Sequence, residues 1–418
     1  MPYGFLRRWR RGRLQDGKNM KTIFLAAGRS TRMEPLGDKN FLEFCGEPLI
    51  VKLLKNATEG GLENFIVVAG PHNQERVENI LKQYNFPAQV VQQKNPEDGM
   101  AGGVMAGLEA AGEGEVFLLG GNDAIDPAVY ETMVFEGRAA DGSILAKKVQ
   151  TYFPGGYLQT DGKKIEKIVE KPGEGNEPSD LVTIVAHFFC DAKMLQKHLS
   201  AQDFKHSDAY ERSLQTLFEE KNFTAVAYDG PWCAIKYPHH VLEMTEFWLG
   251  QLPNEAFIHP EAEVADTARL RGEKIYLSAG AKITDNAVIV GPCFLGENAV
   301  IGTGSLVRNS IVGRDCVIGF NSEIARSFLA PNVSTHISYV GDSVVDEGGN
   351  FGAFSCTTNL RLDQQNIKVK VKEELLDSGR QKLGAIVGKN SQIGSGVKIL
   401  PGRMIPPDSL IAPNTVWK

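Results

Sequence analysis

Apolar residues at Ile283, Ile289, Leu295 and Ile301 recur every six residues, and Val387, Ile393, Ile399, Ile405 and Ile411 repeat the pattern. A six-residue period matches neither the helical repeat nor the two-residue alternation of a strand. It describes a short strand followed by a bend, and Gly296, Gly302, Gly313, Gly319, Gly388 and Gly394 follow the inward positions where the chain must turn. Three such strands close one triangular coil with the aliphatic side chains inside. The repeat predicts a left-handed parallel β-helix over residues 251–418, about ten strands interrupted once. The interruption, NLRLDQQNIKVKVKEELLDSGRQKLG, is too charged to continue the hexads and predicts an inserted loop over 360–385. Excursions of this size from a regular coil are commonly functional.

The preceding half has a different rhythm. KTIFLAAG reads as a buried strand, VKLLKNATEGGLENFIVVAG as a helix and strand, and RVENILKQYN, AQVVQQ, GGVMAGLEAAG and EVFLLGG continue the alternation. This predicts an α/β, Rossmann-like domain with a mainly parallel sheet over residues 20–250. Two domains also suit 418 residues, more than one core usually holds. The opening nineteen residues are basic but lack the apolar stretch of a signal peptide, and since Met20 precedes the first strand they read as an extension.

In such sheets ligands bind beyond the carboxyl ends of the strands. The first loop there, Gly28-Arg29-Ser30-Thr31-Arg32-Met33, combines small residues with arginines. Backbone N–H groups and a following helix N-terminus favour phosphate, and an arginine clamps it bidentately. Lys39 reaches the same anion if the loop folds back. The alternative is a plain strand-to-helix turn with solvated cations. Asp123, after another strand, is either a metal ligand or the cap of the next helix.

FLAAGRSTRMEPLGDKNFLEFCGEPLI resembles the signature of sugar-1-phosphate nucleotidylyltransferases, and the likeness runs over roughly residues 20–250. The resemblance implies that Arg32 and Lys39 are catalytic and that Leu25, Ala26, Ala27, Gly28, Gln93, Gly99 and Met100 hold the nucleotide. It places Gly156 and Glu170 on the sugar and Asp123 on Mg²⁺, with UTP or another nucleoside triphosphate as cosubstrate. Two positions depart from the pattern. Ala234 stands where a second metal ligand is expected, and Thr183 stands where an asparagine amide contacts the sugar. His239 and His240 nearby are adjacent on a helix, point in different directions, and read as packed or solvated rather than as replacement ligands.

THISYVGDSVVDEGGNFGAFSCTTNLR, between the hexad blocks, resembles the acetyltransferase half of bifunctional enzymes that make UDP-N-acetylglucosamine, and the whole chain looks most like their archaeal-type branch. By that resemblance His336 is the general base, Tyr339 and Asn350 contact the sugar, Asn359 and Lys368 serve the acetyl group and coenzyme A, and acetyl-CoA is the cosubstrate. A base of imidazole's ordinary pKa suits the task, because an amino sugar must lose a proton before its nitrogen attacks a thioester. Phe354 replaces a glycine of the motif, and Gln365 replaces a lysine. Arg380, Lys382 and Lys389 are either ligands for coenzyme A phosphates or solvated loop charges.

The resulting expectation is a bifunctional transferase that acetylates glucosamine-1-phosphate and then uridylylates the product. It is expected to act on small-molecule sugar phosphates, to be cytoplasmic, and to form a homotrimer through the β-helix. The alternatives are a single active half, or a non-catalytic scaffold subunit of similar architecture. A net charge of −6 speaks against nucleic acid, six scattered cysteines against disulfides or zinc, and the lack of a long apolar run against a membrane span.

Overall fold

The computed structural model describes residues 20–418; the basic extension expected over 1–19 lies outside the described residues. The chain groups into two compact units: one holds the chain up to Arg29 together with Ile50–Trp232, the other Ser30–Leu49 together with Cys233–Lys418.

The first unit is built on a nine-stranded sheet. Ala88–Gln92, Phe65–Ala69, Lys21–Leu25 and Val116–Gly120 lie side by side in that order, all parallel. Beyond these four the directions are mixed: Phe223–Ala227 runs parallel to Gly142–Lys148, and the other pairs are antiparallel. Leu181–Phe189 runs antiparallel to both Val116–Gly120 and Gly142–Lys148, and Gly156–Asp161 is a hairpin partner of Lys164–Glu170. The helix Gly99–Ala111 packs unusually close to the sheet, because a Cβ on Gly107 would come within 2.4 Å of Ile23. Val104 and Leu108 of the helix and Ile23, Val68 and Leu118 of the sheet are buried between the two. The connection from Lys21–Leu25 leads to a strand on one side of it and a later strand returns on the other, so a crevice opens at its carboxyl end.

The second unit is a parallel β-helix with three faces. One face is an eight-stranded sheet. The other two share a 14-stranded sheet, because Val288–Leu295 and Leu306–Val312 bend around a corner and each pairs on both faces. Ile283 pairs with Ile301, eighteen residues on, which is one turn of three hexads. The residues that define the repeat are all inside: Ile289, Leu295, Ile301, Val387, Ile399 and Ile405 have no exposed surface.

The corners explain how the coil turns. Gly280, Asn298, Asp315, Asn332, Gly348, Asn390 and Asp408 stack along one edge, each with φ between 56° and 73°. A second edge carries Asn286, Gly304, Asn321, Ile337, Phe354, Gly396 and Asn414 in the same left-handed region. Glycine enters it freely and asparagine and aspartate tolerate it, whereas a β-branched or bulky residue is strained there. Ile337 and Phe354 are the exceptions, and both lie within the histidine motif.

The excursion from the coil is an antiparallel hairpin, Lys368–Val371 with Glu374–Asp377, closed at its neck by a bridge between Leu360 and Lys382. Val369 and Val371 are buried while the intervening lysines face solvent. Arg380 at its end pairs with Glu246 at 2.9 Å and with Glu243 at 4.0 Å, and Lys389 pairs with Glu347 at 2.8 Å. These two cations are therefore held by carboxylates of their own unit.

Candidate active sites

The crevice of the first unit gathers most of the nucleotide residues expected from sequence. Gly121 N–H donates to Leu25 C=O at 3.0 Å, tying the loop that begins at Leu25 to the turn that ends in Asp123. Leu25, Ala27 and Met100 pack together at the edge of the buried core, and Gly28 is exposed beyond them. Gln93 is buried, and its Nε2 donates to the Asn95 and Gly99 carbonyls at 3.0 and 2.9 Å. Its amide thus shapes the turn that starts the helix Gly99–Ala111, where Gly99 takes φ 55°. That helix supplies the N-terminal partial positive charge. The loop after Leu25 does not: Thr31–Met33 is a single 3-10 turn, and the next α-helix begins only at Leu49.

Asp123 does not cap a helix. Asp126 accepts from the Ala128 N–H at 2.9 Å ahead of the helix Val129–Arg138, while Asp123 Oδ1 accepts from the Trp232 indole N–H at 2.8 Å. Its neighbours are Gly120, Ile125, Tyr130 and Val185, which line a small recess with it. Tyr130 is driven well above the ordinary tyrosine pKa, chiefly by burial and then by the Asp123 charge. Among the described residues no group of three or more His, Cys, Asp or Glu could hold a metal. One carboxylate fits Mg²⁺ as substrates present it, since that ion keeps few protein ligands and completes its shell with phosphate oxygens and water.

The two residues expected on the sugar meet across the hairpin. Gly156 pairs in register with Glu170, and a Cβ on Gly156 would lie 3.0 Å from the Thr183 methyl. Thr183 is bonded to the His187 ring at 3.0 Å, and His187 to the Tyr210 hydroxyl at 2.7 Å. Burial lowers His187 to about 3, so this ring is neutral and structural. Glu170 pairs with Lys171 at 2.6 Å. Glu211, which the sequence reading missed, is raised to about 7, first by burial and then by the Glu170 charge.

Arg32 and Lys39 belong to the second unit. The loop between them does fold back: the Ser30 hydroxyl donates to Asp38 at 2.9 Å and accepts from the Lys39 N–H at 3.4 Å, while Asp38 also accepts from Asn40 N–H at 3.1 Å. The clasp brings the ends of the arginine–lysine loop together through two residues that carry no basic signal in the sequence. Arg32 lies 5.7 Å above the Tyr237 ring. Tyr237 stacks on His239, and burial lowers His239 to about 4 and His240 to about 3. Both histidines are packed and neutral.

On the β-helix, His336 is exposed at the corner after Ser334–Thr335, and Ile337 beside it has φ 47°. Tyr339 begins the next face one residue past Ser338 and pairs in register with Cys356 on the following turn. Asn359 comes back over it, its Nδ2 donating to the Tyr339 hydroxyl at 3.0 Å. Asn350 is exposed on the face before the corner, where it pairs with Ser334 and donates to Gln392 at 3.0 Å. Lys368 stands at the start of the hairpin and lines a recess with Arg361, Ile367, Leu375, Leu400, Pro401 and Arg403. Phe354 is 69% exposed at its left-handed corner, the position where glycine would relieve the backbone.

The MobA-like NTP transferase domain family matches residues 22–171, and the GMPPB C-terminal domain family matches 252–346. These matches define a nucleotidyltransferase-type domain followed by a second, separate domain. Over 95% of its length the chain is 28% identical to a bifunctional sugar-1-phosphate nucleotidylyltransferase/acetyltransferase of Sulfurisphaera tokodaii, covering 97% of that protein. It is 26% identical to the bifunctional protein GlmU of Methanococcus maripaludis, with 94% of each chain covered, and 26% identical to that of Methanocaldococcus jannaschii, covering 92% and 91%. The chain is a transferase related along nearly its whole length to these bifunctional enzymes.

Proposed function

We propose that the chain makes UDP-N-acetylglucosamine in two steps, acetyl transfer from acetyl-CoA to glucosamine-1-phosphate and uridylyl transfer from UTP to the product. The observation that carries this reading is the likeness of the chain, over nearly its whole length, to relatives named as bifunctional.

In the acetyl step the thioester carbonyl is attacked by the sugar amine, whose proton passes to His336, and the coenzyme A thiolate leaves. Tyr339 and Asn350 hold the sugar phosphate. Asn359 faces the acetyl group, and Lys368, with Arg361 and Arg403 around the same recess, offers positive charge to coenzyme A. In the nucleotidyl step an oxygen of the sugar phosphate attacks the α-phosphorus of UTP and pyrophosphate leaves. Leu25–Gly28, Gln93 and the start of the helix at Gly99 and Met100 hold the nucleotide, Gly156 and Glu170 the sugar, and Arg32 and Lys39 neutralise phosphate charge. Mg²⁺ held by Asp123 and the triphosphate would supply further charge neutralisation. The β-helix is left-handed in this reading, its acetyl sites lie between the coils of a homotrimer, and the enzyme works in the cytoplasm, where both cosubstrates are made. Among the described residues no helix is long and apolar enough to cross a membrane.

The test is separate substitution of the two sites. Asp123→Asn should reduce pyrophosphate release by about 10²-fold or more and leave acetyl-CoA consumption intact, and His336→Ala should do the reverse. Loss of both activities in either variant, or of neither, would contradict the assignment.

A further inference from the structure

A third corner of the β-helix carries an ion pair in left-handed positions. Asn309, Arg326 and Asp342 stack on consecutive turns, with φ of 50°, 49° and 49°. Arg326 and Asp342 use the stacking to form a bidentate pair, Nε to Oδ1 and Nη2 to Oδ2, both at 2.6 Å. The aspartate is almost fully enclosed, with 2% of its side chain exposed against 27% for the arginine. Its Oδ2 also accepts from Asn359 Nδ2, and that nitrogen donates in turn to the Tyr339 hydroxyl. Four side chains from three successive turns thus form one network, and two of them are substrate residues of the acetyl site.

We infer that the Arg326–Asp342 pair is a positioning device that fixes the polarity of that site. A carboxylate only accepts hydrogen bonds, so it admits the NH₂ of Asn359 and repels its carbonyl. The Asn359 amide is thereby locked with Oδ1 turned away from the pair as an acceptor. The Tyr339 oxygen already accepts from Asn359, so its proton is available as a donor. The site then presents one acceptor and one donor in a fixed order, matched to an N–H and to an anionic or carbonyl oxygen of the reactants. The Arg326 guanidinium supplies the opposite charge beside an enclosed carboxylate that would be unfavourable without a partner.

This inference rests on the acetyl-transfer reading. The experiment measures thioester consumption with acetyl-CoA and glucosamine-1-phosphate, wild type first. Given an active wild type, Asp342→Asn should lower kcat/KM for the amino sugar by roughly 10²-fold, as expected when a reacting group is misplaced. Arg326→Met should bring a comparable loss, and Arg326→Lys, which retains the charge, a smaller one. The decisive variant is the exchange Asp342→Asn with Asn359→Asp. It keeps a carboxylate–amide hydrogen bond between the two positions but reverses its polarity, and should leave acetyl transfer impaired. Recovery of activity in the exchange variant, or unchanged kinetics in Asp342→Asn, would overturn the inference alone. An inactive wild type would overturn the acetyl-transfer reading and this inference with it.

Discussion

Glu211 stands on a helix whose outward face would ordinarily leave a glutamate solvated, yet its carboxyl is held at about 7, by burial first and by the Glu170 charge second. The unfolded chain ionises it near 4.5. The folded state therefore keeps a proton that the unfolded state loses, and the sign of the linkage follows. The stabilisation is complete below about pH 4.5 and is lost as the pH rises to about 7. Glu211→Gln cannot ionise, so its stability should stay flat where the wild type declines. Above pH 7 the variant should be the more stable by on the order of 2 kcal/mol, a value reduced from the full shift to allow for partial exposure. Denaturant unfolding at pH 4.5 and pH 8 checks this: equal advantages at both would show that the substitution acts through packing rather than charge. Asp123 shows a different lesson at this scale. Its position after a strand was compatible with a helix cap, and the indole of Trp232, far away in sequence, is what sets its geometry.

The coil is held together by stacking of like positions, so the repeat is expected to be most sensitive where a large side chain fills the bore. Phe351 has no exposed surface and lies in register between Thr335 and Ile393. Phe351→Ala should destabilise the protein by about 3–5 kcal/mol, since neighbouring turns are locked by the ladder and cannot collapse onto the space. A guanidinium chloride midpoint measures it, and a change below about 1 kcal/mol would mean that the turns relax freely. The same residue shows what the sequence could and could not reveal. From Ile283 the inward positions of this face fall at Ile301, Ile318, Thr335 and Phe351, at intervals of eighteen, seventeen, seventeen and sixteen residues. The strands keep strict register while the corners shorten, and Thr335 is a polar residue in an inward position. The hexads were therefore legible before Gly302 and after Ala385, and hidden between them. There the left-handed edge positions are held mostly by Gly, Asn and Asp, but the signal fails at Arg326, Ile337 and Phe354, around the histidine motif. In the first unit the alternation of strand and helix gave the parallel strands. The antiparallel pairing was not legible, because the direction of Leu181–Phe189 depends on partners distant in sequence.

At the scale of the whole molecule, the two proposed steps share a small, free intermediate. N-acetylglucosamine-1-phosphate leaves one site as product and enters the other as substrate, so a single chain need not contain both competent sites for the sequence to run. A protein carrying Asp123→Asn should acetylate glucosamine-1-phosphate and stop; one carrying His336→Ala should accept the acetylated sugar alone. Mixed in equal amounts with UTP, acetyl-CoA and glucosamine-1-phosphate, the two should form UDP-N-acetylglucosamine after a lag in which the intermediate accumulates. The lag should shorten when the Asp123→Asn protein is in excess, because the first step then fills the intermediate pool faster. Following both free thiol and pyrophosphate with time distinguishes the outcomes. Thiol release must lead pyrophosphate release in the mixture, and neither variant alone may release both. Absence of product from the mixture, with each variant active in its own half-reaction, would show that the intermediate is not released between steps and would remove the independent-site reading.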